Sequence, residues 1–198
     1  MKKNFYLLLL VTLILCSTAV GFDGDRKGFV LGGGLGFSPA SKWKTELIPD
    51  LNLAFEETKA GLGVNLLLGY AWDEYNMLVL EGNVAGYETD LKNVTATQGF
   101  GGVAWYHYYG AKGSSFFTTV GVGGYNFELE FKKDNITVSG SNDPGFGMLF
   151  GAGYEFAPHF QAGAYFSFGK TKSVDDSTNT EVEFDHAHIN LMVTLIAF

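Results

Sequence analysis

Long runs in which apolar residues alternate with small or polar residues dominate this sequence. Such a period of two indicates β-strands with two unlike faces. Eight runs of about 10 to 13 residues have this pattern: 28–37, 60–72, 77–87, 99–109, 116–127, 145–156, 160–169 and 187–198. They are long for strands of soluble proteins, but they match the length of tilted strands that cross a bilayer.

Charged side chains are almost absent from these runs. Glu81 and Glu155 are the only Asp, Glu, Lys or Arg residues in them, and both lie on the face with glycine and polar residues. A soluble eight-stranded barrel, such as a lipocalin-like carrier, would keep charged residues on the outside of its strands. We therefore expect the apolar faces to point outward into lipid, where a basic residue at mid-depth costs about 2–4 kcal/mol.

The links between the runs alternate in length. Long, charged links at 38–59, 88–98, 128–144 and 170–186 are separated by short turns at 73–76, 110–115 and 157–159. This order predicts an all-β fold, an eight-stranded antiparallel up-and-down transmembrane β-barrel, with loops at one end and turns at the other. Leu51, Leu53 and Phe55 also alternate, out of phase with the second run. They indicate a strand extension after a bulge or, alternatively, a small hairpin that would give ten strands.

The first 21 residues have the layout of a secretory signal peptide. Lys2 and Lys3 precede an apolar core that is shorter than the ~20 residues of a membrane-spanning helix. We expect residues 1–21 to be cleaved off, with the cut between Ala19 and Gly21, and residues 22–198 to form the barrel domain. The single cysteine, Cys16, lies in the leader, so the mature chain would have no disulfide and no cysteine-based site.

The mature chain is acidic. It would carry 11 basic and 21 acidic residues, a formal net charge of −10. Nucleic-acid binding depends on neutralising phosphates with basic side chains, so no nucleic-acid partner is expected.

The glycine-rich stretch FVLGGGLGF at 29–37 could suggest a phosphate-binding loop. A dinucleotide loop needs Gly-x-Gly-x-x-Gly between a strand and a helix. After Gly32 and Gly34, Phe37 occupies the position of the third glycine, and no helical pattern follows. We expect these glycines to line the inner face of a tightly curved first strand instead, and no cofactor is predicted.

The leader, the eight runs and the last strand HINLMVTLIAF ending at Phe198 resemble the superfamily of eight-stranded bacterial outer-membrane β-barrels, such as OmpA transmembrane domains, OmpX and opacity-like porin-family proteins. The resemblance covers essentially the whole mature chain. It implies a location in the bacterial outer membrane, contact with its lipid and lipopolysaccharide, and recognition of the C-terminal strand by the barrel-assembly machinery. The more apolar register of this strand omits Phe198, so the side on which Phe198 lies stays open.

Strand parity assigns polar residues to the lumen. The predicted lumen residues are Glu81, Asn83, His107, Glu155, Gln161, His188 and Asn190, and the same parity places Trp105, Tyr109 and Asn126 inside. Side chains can fill an eight-stranded barrel, so we expect a polar core without a continuous channel. Since no run contains Lys or Arg, we expect hydrogen bonds or hydration to satisfy the two glutamates.

Aromatic residues at the run ends predict two interfacial girdles. Trp72, Tyr108, Phe116, Phe156 and Phe160 would form the girdle near the turns, and Phe37, Phe100, Phe146 and Phe168 the girdle near the loops.

The sequence predicts no catalytic residue and no metal site. His186 and His188 share one strand face, but a pair lacks a third fixed metal ligand. Lipid A deacylases of the superfamily carry a His-x-Ser pair in one strand, where this chain has His186-x-His188. We expect a structural, adhesive or surface-interaction role through four extracellular loops that face an extracellular partner. The alternatives are a narrow pore or carrier for small or apolar solutes and a lipid A-modifying enzyme.

Overall fold

A computed structural model describes residues 26–48, 53–133, 136–175 and 180–198. Nine strands account for most of these residues: β1 Gly28–Ile48, β2 Leu53–Ala71, β3 Asn76–Glu88, β4 Val94–Tyr108, β5 Ser115–Lys133, β6 Ile136–Ser141, β7 Gly145–Ala157, β8 Phe160–Asp175 and β9 Thr180–Ala197. The predicted signal peptide lies outside the described residues. Within the described ranges, no helix is long and apolar enough to cross a membrane.

Eight of the strands form a closed antiparallel barrel. The order is β4-β3-β2-β1-β9-β8-β7-β5, and pairing of β4 with β5 closes it. The predicted eight-stranded up-and-down fold is therefore confirmed. We call the end with the turns 72–75, 109–114 and 158–159 the turn end, and the opposite end the loop end.

The strands continue far into the links that were predicted to be loops. Pairing of β1 with β2 runs on past a register shift between Ser38 and Ser41 to Ile48 opposite Leu53. Of the two interpretations of this segment, a strand extension after a bulge is the correct one for residues 53–55; Leu51 lies outside the described residues. At about 3.3 Å per residue and a tilt near 40°, β1 spans about 50 Å, twice the roughly 25 Å of an apolar band.

One further strand, β6, was not predicted. It pairs with the end of β5, from Glu128 opposite Ser141 to Lys133 opposite Ile136. The link 128–144 thus forms a hairpin at the loop end. It adds a ninth strand to the sheet without changing the number of strands in the barrel.

The two faces of the wall differ as the alternation predicts. Leucine, valine and phenylalanine side chains stand out from the wall, and Leu62 is 73 % exposed. The buried residues fill the lumen, where aromatic rings are mixed with polar groups. The core of the molecule is therefore the interior of the barrel.

The seam between β1 and β9 requires glycine. A Cβ atom at Gly36 would collide with the backbone carbonyl of Leu191 on β9. FVLGGGLGF thus lies in a strand, as predicted, and its inner glycines let β9 approach closely.

Candidate functional site

The centre of the lumen is a hydrogen-bonded network around Glu81. This side chain is 2 % exposed. Tyr106 Oη donates a hydrogen bond to Glu81 Oε2 over 2.8 Å, and Asn83 Nδ2 donates to Oε1 over 3.4 Å. Asn190 Nδ2 donates in turn to Asn83 Oδ1 over 2.7 Å. Polar partners therefore surround this carboxyl group, as a buried polar group requires.

His188 extends this network toward the loop end. Its Nδ1 lies 2.7 Å from Tyr125 Oη, and its Nε2 lies 2.8 Å from Ser167 Oγ and 3.3 Å from Asn83 Oδ1. All four side chains are buried. The His188 ring on β9 thus connects to residues of β3, β5 and β8 across the lumen.

A second polar cluster closes the turn end. Arg26, which precedes β1, is 1 % exposed and forms a buried ion pair with Glu155. Its guanidinium group lies 3.9 Å from the centroid of the Tyr108 ring, and its Nη1 donates to the carbonyl of Glu74 over 2.5 Å. Gly113 N also donates to Glu155 Oε2, over 3.1 Å. We call Arg26, Glu155 and Tyr108 the turn-end cluster.

This cluster corrects the expectation that Glu155 has no cationic partner. The expectation considered only residues within the runs, whereas the cation precedes the first run by two residues. The positions of the two residues in the sequence could have indicated this pair. Arg26 comes just before a strand that starts at the turn end, and Glu155 lies close to the turn-end terminus of β7.

Hydrogen bonds continue inward from this cluster. Tyr108 Oη donates to Gln161 Oε1 over 2.8 Å, and Gln161 Nε2 donates to Tyr165 Oη over 3.1 Å. All three side chains are buried. Of the seven predicted lumen residues, the structure places Glu81, Asn83, Glu155, Gln161, His188 and Asn190 in the lumen.

The prediction for β4 and β5 is wrong about which face points inward. His107 lies on the outer face, between the rings of Trp105 and Tyr109, and its Nδ1 is 2.9 Å from Asn76 Oδ1. Asn126 is exposed as well. The predicted girdle residues Phe100 and Tyr108 are instead buried in the lumen. The reason is that Tyr106 and Tyr108 place their hydroxyl groups on lumen acceptors.

The other predicted girdle residues are exposed on the outer wall. They are Phe37, Trp72, Phe116, Phe146, Phe156, Phe160 and Phe168.

The loop end is closed by an apolar group that we call the loop-end cluster: Trp43, Tyr87, Ala96, Phe127 and Leu129. The centroids of the Trp43 and Phe127 rings are 5.9 Å apart, and the ring of Phe184 lies 6.3 Å from that of Trp43. Apolar side chains therefore pack across the barrel beyond the central network.

The outer surface of the loop end is charged. Ion pairs join Lys42 on β1 with Glu56 on β2 over 2.6 Å, and Lys170 on β8 with Asp185 on β9 over 3.2 Å. A third pair joins Lys59 on β2 with Asp90 in the turn after β3 over 2.5 Å. The hydrogen bond to Asp185 raises the pKa of Lys170, and that to Asp90 raises the pKa of Lys59. These pairs are solvent-exposed and contribute little stability.

Acidic residues outnumber basic ones at this end. The four links 38–59, 88–98, 128–144 and 170–186 contain 8 basic and 15 acidic residues.

The two candidate metal ligands have protein partners. His186 Nε2 lies 2.8 Å from Thr171 Oγ1, and its ring stacks on that of Tyr125 with a centroid distance of 5.5 Å. Among the described residues, no group of three or more His, Cys, Asp or Glu side chains could hold a metal ion.

Phe198, whose side was left open, points into the lumen. It is buried, and its ring centroid lies 6.0 Å from that of His159. His159 Nδ1 lies 2.9 Å from the carbonyl of Ile196, and Ile196 N donates to the carbonyl of His159 over 2.8 Å. The last turn thus holds the end of β9.

Comparison with known proteins agrees with this architecture. The sequence model of one family, described as outer membrane protein beta-barrel domain, matches residues 7–194. None of the curated proteins searched matches the chain.

Several solved structures are similar. Neisserial surface protein A (NspA) has a TM-score of 0.53 at 11 % identity, covering 85 % of this chain and 96 % of that chain. Ail, the attachment invasion locus protein of Yersinia pestis, has a TM-score of 0.48 at 12 % identity, covering 84 % and 99 %. OprG from Pseudomonas aeruginosa has a TM-score of 0.47 at 12 % identity, covering 87 % and 97 %. At these identities the likeness shows the fold alone.

Proposed function

The chain belongs to the outer-membrane β-barrel family, and from this premise we propose that it is a non-conducting barrel that displays a rigid, acidic surface outside the bacterial outer membrane. The observation that carries the proposal is the filled lumen. The turn-end cluster, the central network and the loop-end cluster follow one another along the barrel axis. An eight-stranded barrel is only just wide enough for side chains to fill it.

The projecting strands support the display role. The extensions of β1 and β2 are paired along their length, and those of β8 and β9 are paired from Lys170 to Asp175. Glu57 on β2 links the extension of β1 to the turn between β3 and β4, because its Oε2 accepts a hydrogen bond from Trp43 Nε1 over 3.0 Å and its Oε1 accepts one from Asp90 N over 2.7 Å. Paired strands hold side chains in fixed positions, which lowers the entropy cost of binding a partner.

The excess of acidic residues in the four links favours a cationic partner. Complementary charge steers association and makes it sensitive to salt. We expect protein in zwitterionic vesicles to bind polylysine in low salt, to release it as salt rises, and not to bind polyglutamate. Equal binding of both polymers would contradict a charge-based partner.

An enzymatic role is not proposed. Ser167 Oγ lies 2.8 Å from His188 Nε2, which is the spacing of a nucleophile and its base. Both side chains are fully enclosed in the lumen, however, so no substrate reaches them. Mass spectrometry of lipid A from cells with and without the protein should give identical spectra, and a changed acyl chain would overturn this assignment.

The conductance of purified protein in a planar bilayer tests the closed barrel. We expect no discrete channels. The double variant Trp43→Ala/Phe127→Ala should also remain silent, because the central network and the turn-end cluster still fill the lumen. Discrete channels in the wild type would replace the proposal with the narrow-pore alternative. Channels in the double variant but not in the wild type would mean that the loop-end cluster alone closes the lumen.

A further inference from the structure

The outer wall has a shallow depression of about 730 Å³ across β5, β7, β8 and β9. Its floor is a row of small residues on adjacent strands, in which Thr118 pairs with Ala152 and Ala152 with Ala164. Ala162, one step nearer the turn end, extends this floor. Large apolar side chains cover most of the remaining wall, so this region is recessed.

Large side chains surround the floor. The paired rings of Phe116 and Tyr154, with centroids 4.9 Å apart, stand on one side, and Leu191 and Val193 stand on the other. Phe150 and Phe166 are paired in register and exposed on the side of the loop end. The depression is therefore walled on three sides.

Polar groups lie where the depression approaches the turns. Tyr154 Oη is 2.7 Å from Ser114 Oγ, and Tyr109 Oη is 3.0 Å from Thr118 Oγ1. The second contact satisfies the one hydroxyl group of the floor. Apart from this satisfied hydroxyl the floor is apolar, and the Tyr154–Ser114 pair makes the turn-end margin polar, which is the polarity of a lipid from its chain to its head group.

We propose that this depression binds one acyl chain of a phospholipid in the leaflet at the turn end. Ala152 lies five residues before the end of β7 at Ala157, which places it about 12 Å along the barrel axis from the turns, within the turn-end half of the roughly 25 Å apolar band. Acyl chains are the apolar groups that surround this wall. Empty space beside it would forfeit dispersion contacts.

A second copy of the chain is a poorer occupant. A twofold interface places the same patch of both subunits face to face, so the patch must be complementary to itself. Two depressions facing each other would enclose a larger void. A linear chain instead fills the depression while its head group stays at the interface.

Photo-crosslinking with a phosphatidylcholine that carries a diazirine in one acyl chain tests the proposal. The protein in vesicles of this lipid is irradiated, and the crosslinked peptides are mapped by mass spectrometry. We expect several-fold more crosslinks on residues 150–166 than on the exposed residues Leu78, Leu80 and Val103. Ala152→Leu and Ala164→Leu should reduce this excess to the level of those three residues, whereas Ala60→Leu, which changes an exposed alanine of β2 outside the depression, should leave it unchanged.

Heat-dependent gel mobility verifies that each variant is folded. Even crosslinking around the barrel, or an excess that survives both filling substitutions, would overturn the proposal in favour of general solvation by lipid. Dimers in the wild type that disappear with Ala164→Leu would overturn it in favour of a second copy.

Discussion

Replacing Arg26 with methionine should destabilise the barrel strongly, because it leaves the Glu155 carboxylate buried without its cation. The Arg26 and Glu155 side chains are 1 % and 3 % exposed, so water cannot replace the lost partner. After the substitution, Gly113 N would remain as a donor to this carboxylate. The Tyr108 ring would also lose the guanidinium group that covers it.

The magnitude follows from burial. Removing one partner of a buried ion pair typically costs about 3–5 kcal/mol, since an uncompensated charge remains. Replacing both partners is far less costly, because no isolated charge is left. Arg26→Met alone should therefore lower the free energy of unfolding by about 3–5 kcal/mol, and Arg26→Met/Glu155→Gln should recover most of that loss. Glu155→Gln alone should cost less than Arg26→Met, because Arg26 keeps the Glu74 carbonyl and the Tyr108 ring as partners.

Guanidinium unfolding of barrels refolded in phospholipid vesicles, followed by tryptophan fluorescence, measures these differences. The two single variants and the double variant form a cycle that isolates the interaction between the side chains. A cost below about 1 kcal/mol for Arg26→Met would be the value of an exposed pair and would refute the buried cluster. Additive costs in the double variant would refute the pairing itself.

Three further outcomes are expected. Gly36→Ala should reduce the folded fraction in a gel-mobility assay because the added Cβ meets the backbone of β9, whereas Gly82→Ala, with nothing within 4 Å, should fold normally. Tyr106→Phe should lower the free energy of unfolding by about 1–3 kcal/mol in denaturant titrations, because it removes a donor from buried Glu81. Burial lowers the pKa of His159 below 6.5, despite the opposing hydrogen bond to a carbonyl group, so its contribution to stability is present above pH 6.5 and is lost as the pH falls through the folded-state pKa. Unfolding at about pH 7.5 and about pH 5 should therefore show a larger acid-induced loss in the wild type than in His159→Asn.

Each of these outcomes has a contrary result. Equal folded fractions for the two glycine variants would mean that the seam between β1 and β9 tolerates a methyl group. An unchanged stability of Tyr106→Phe would remove the tyrosine from the central network. Equal pH dependence in the wild type and His159→Asn would assign the acid sensitivity to other groups. Asparagine suits the last test because it tolerates the positive φ of 72° at this position.

Strand number and order could be predicted because lipid imposes a strict alternation on most of the wall. The same reasoning fails at WYHYY, residues 105–109, where five consecutive residues are aromatic or histidine. Because neighbouring residues of this stretch do not differ in polarity, the alternation does not indicate which of them face the lumen. The inner face is decided by tertiary contacts instead, because Tyr106 and Tyr108 reach acceptors on β3 and β8.

The reach of the strands beyond the membrane could not be predicted for a related reason. Outside lipid, a paired strand and a loop both satisfy their backbone groups, one through the neighbouring strand and the other through water. Charged residues such as Lys170 and Asp185 are compatible with either state. In the structure they are paired, with Lys170 of β8 opposite Asp185 of β9.

The closure of the lumen depends on which residue types face each other, as well as on the number of strands. The ring of Phe117 occupies the positions that Cβ atoms of Gly153 and Gly163 would take, at 2.6 and 2.9 Å from its Cζ. β7 and β8 thus have glycine at the positions where the Phe117 ring of β5 fills the lumen. Close packing of this kind leaves few voids as large as a water molecule. A barrel of the same strand number with larger residues at both glycine positions would have to move this ring, so Gly153 and Gly163 are part of what keeps this barrel closed.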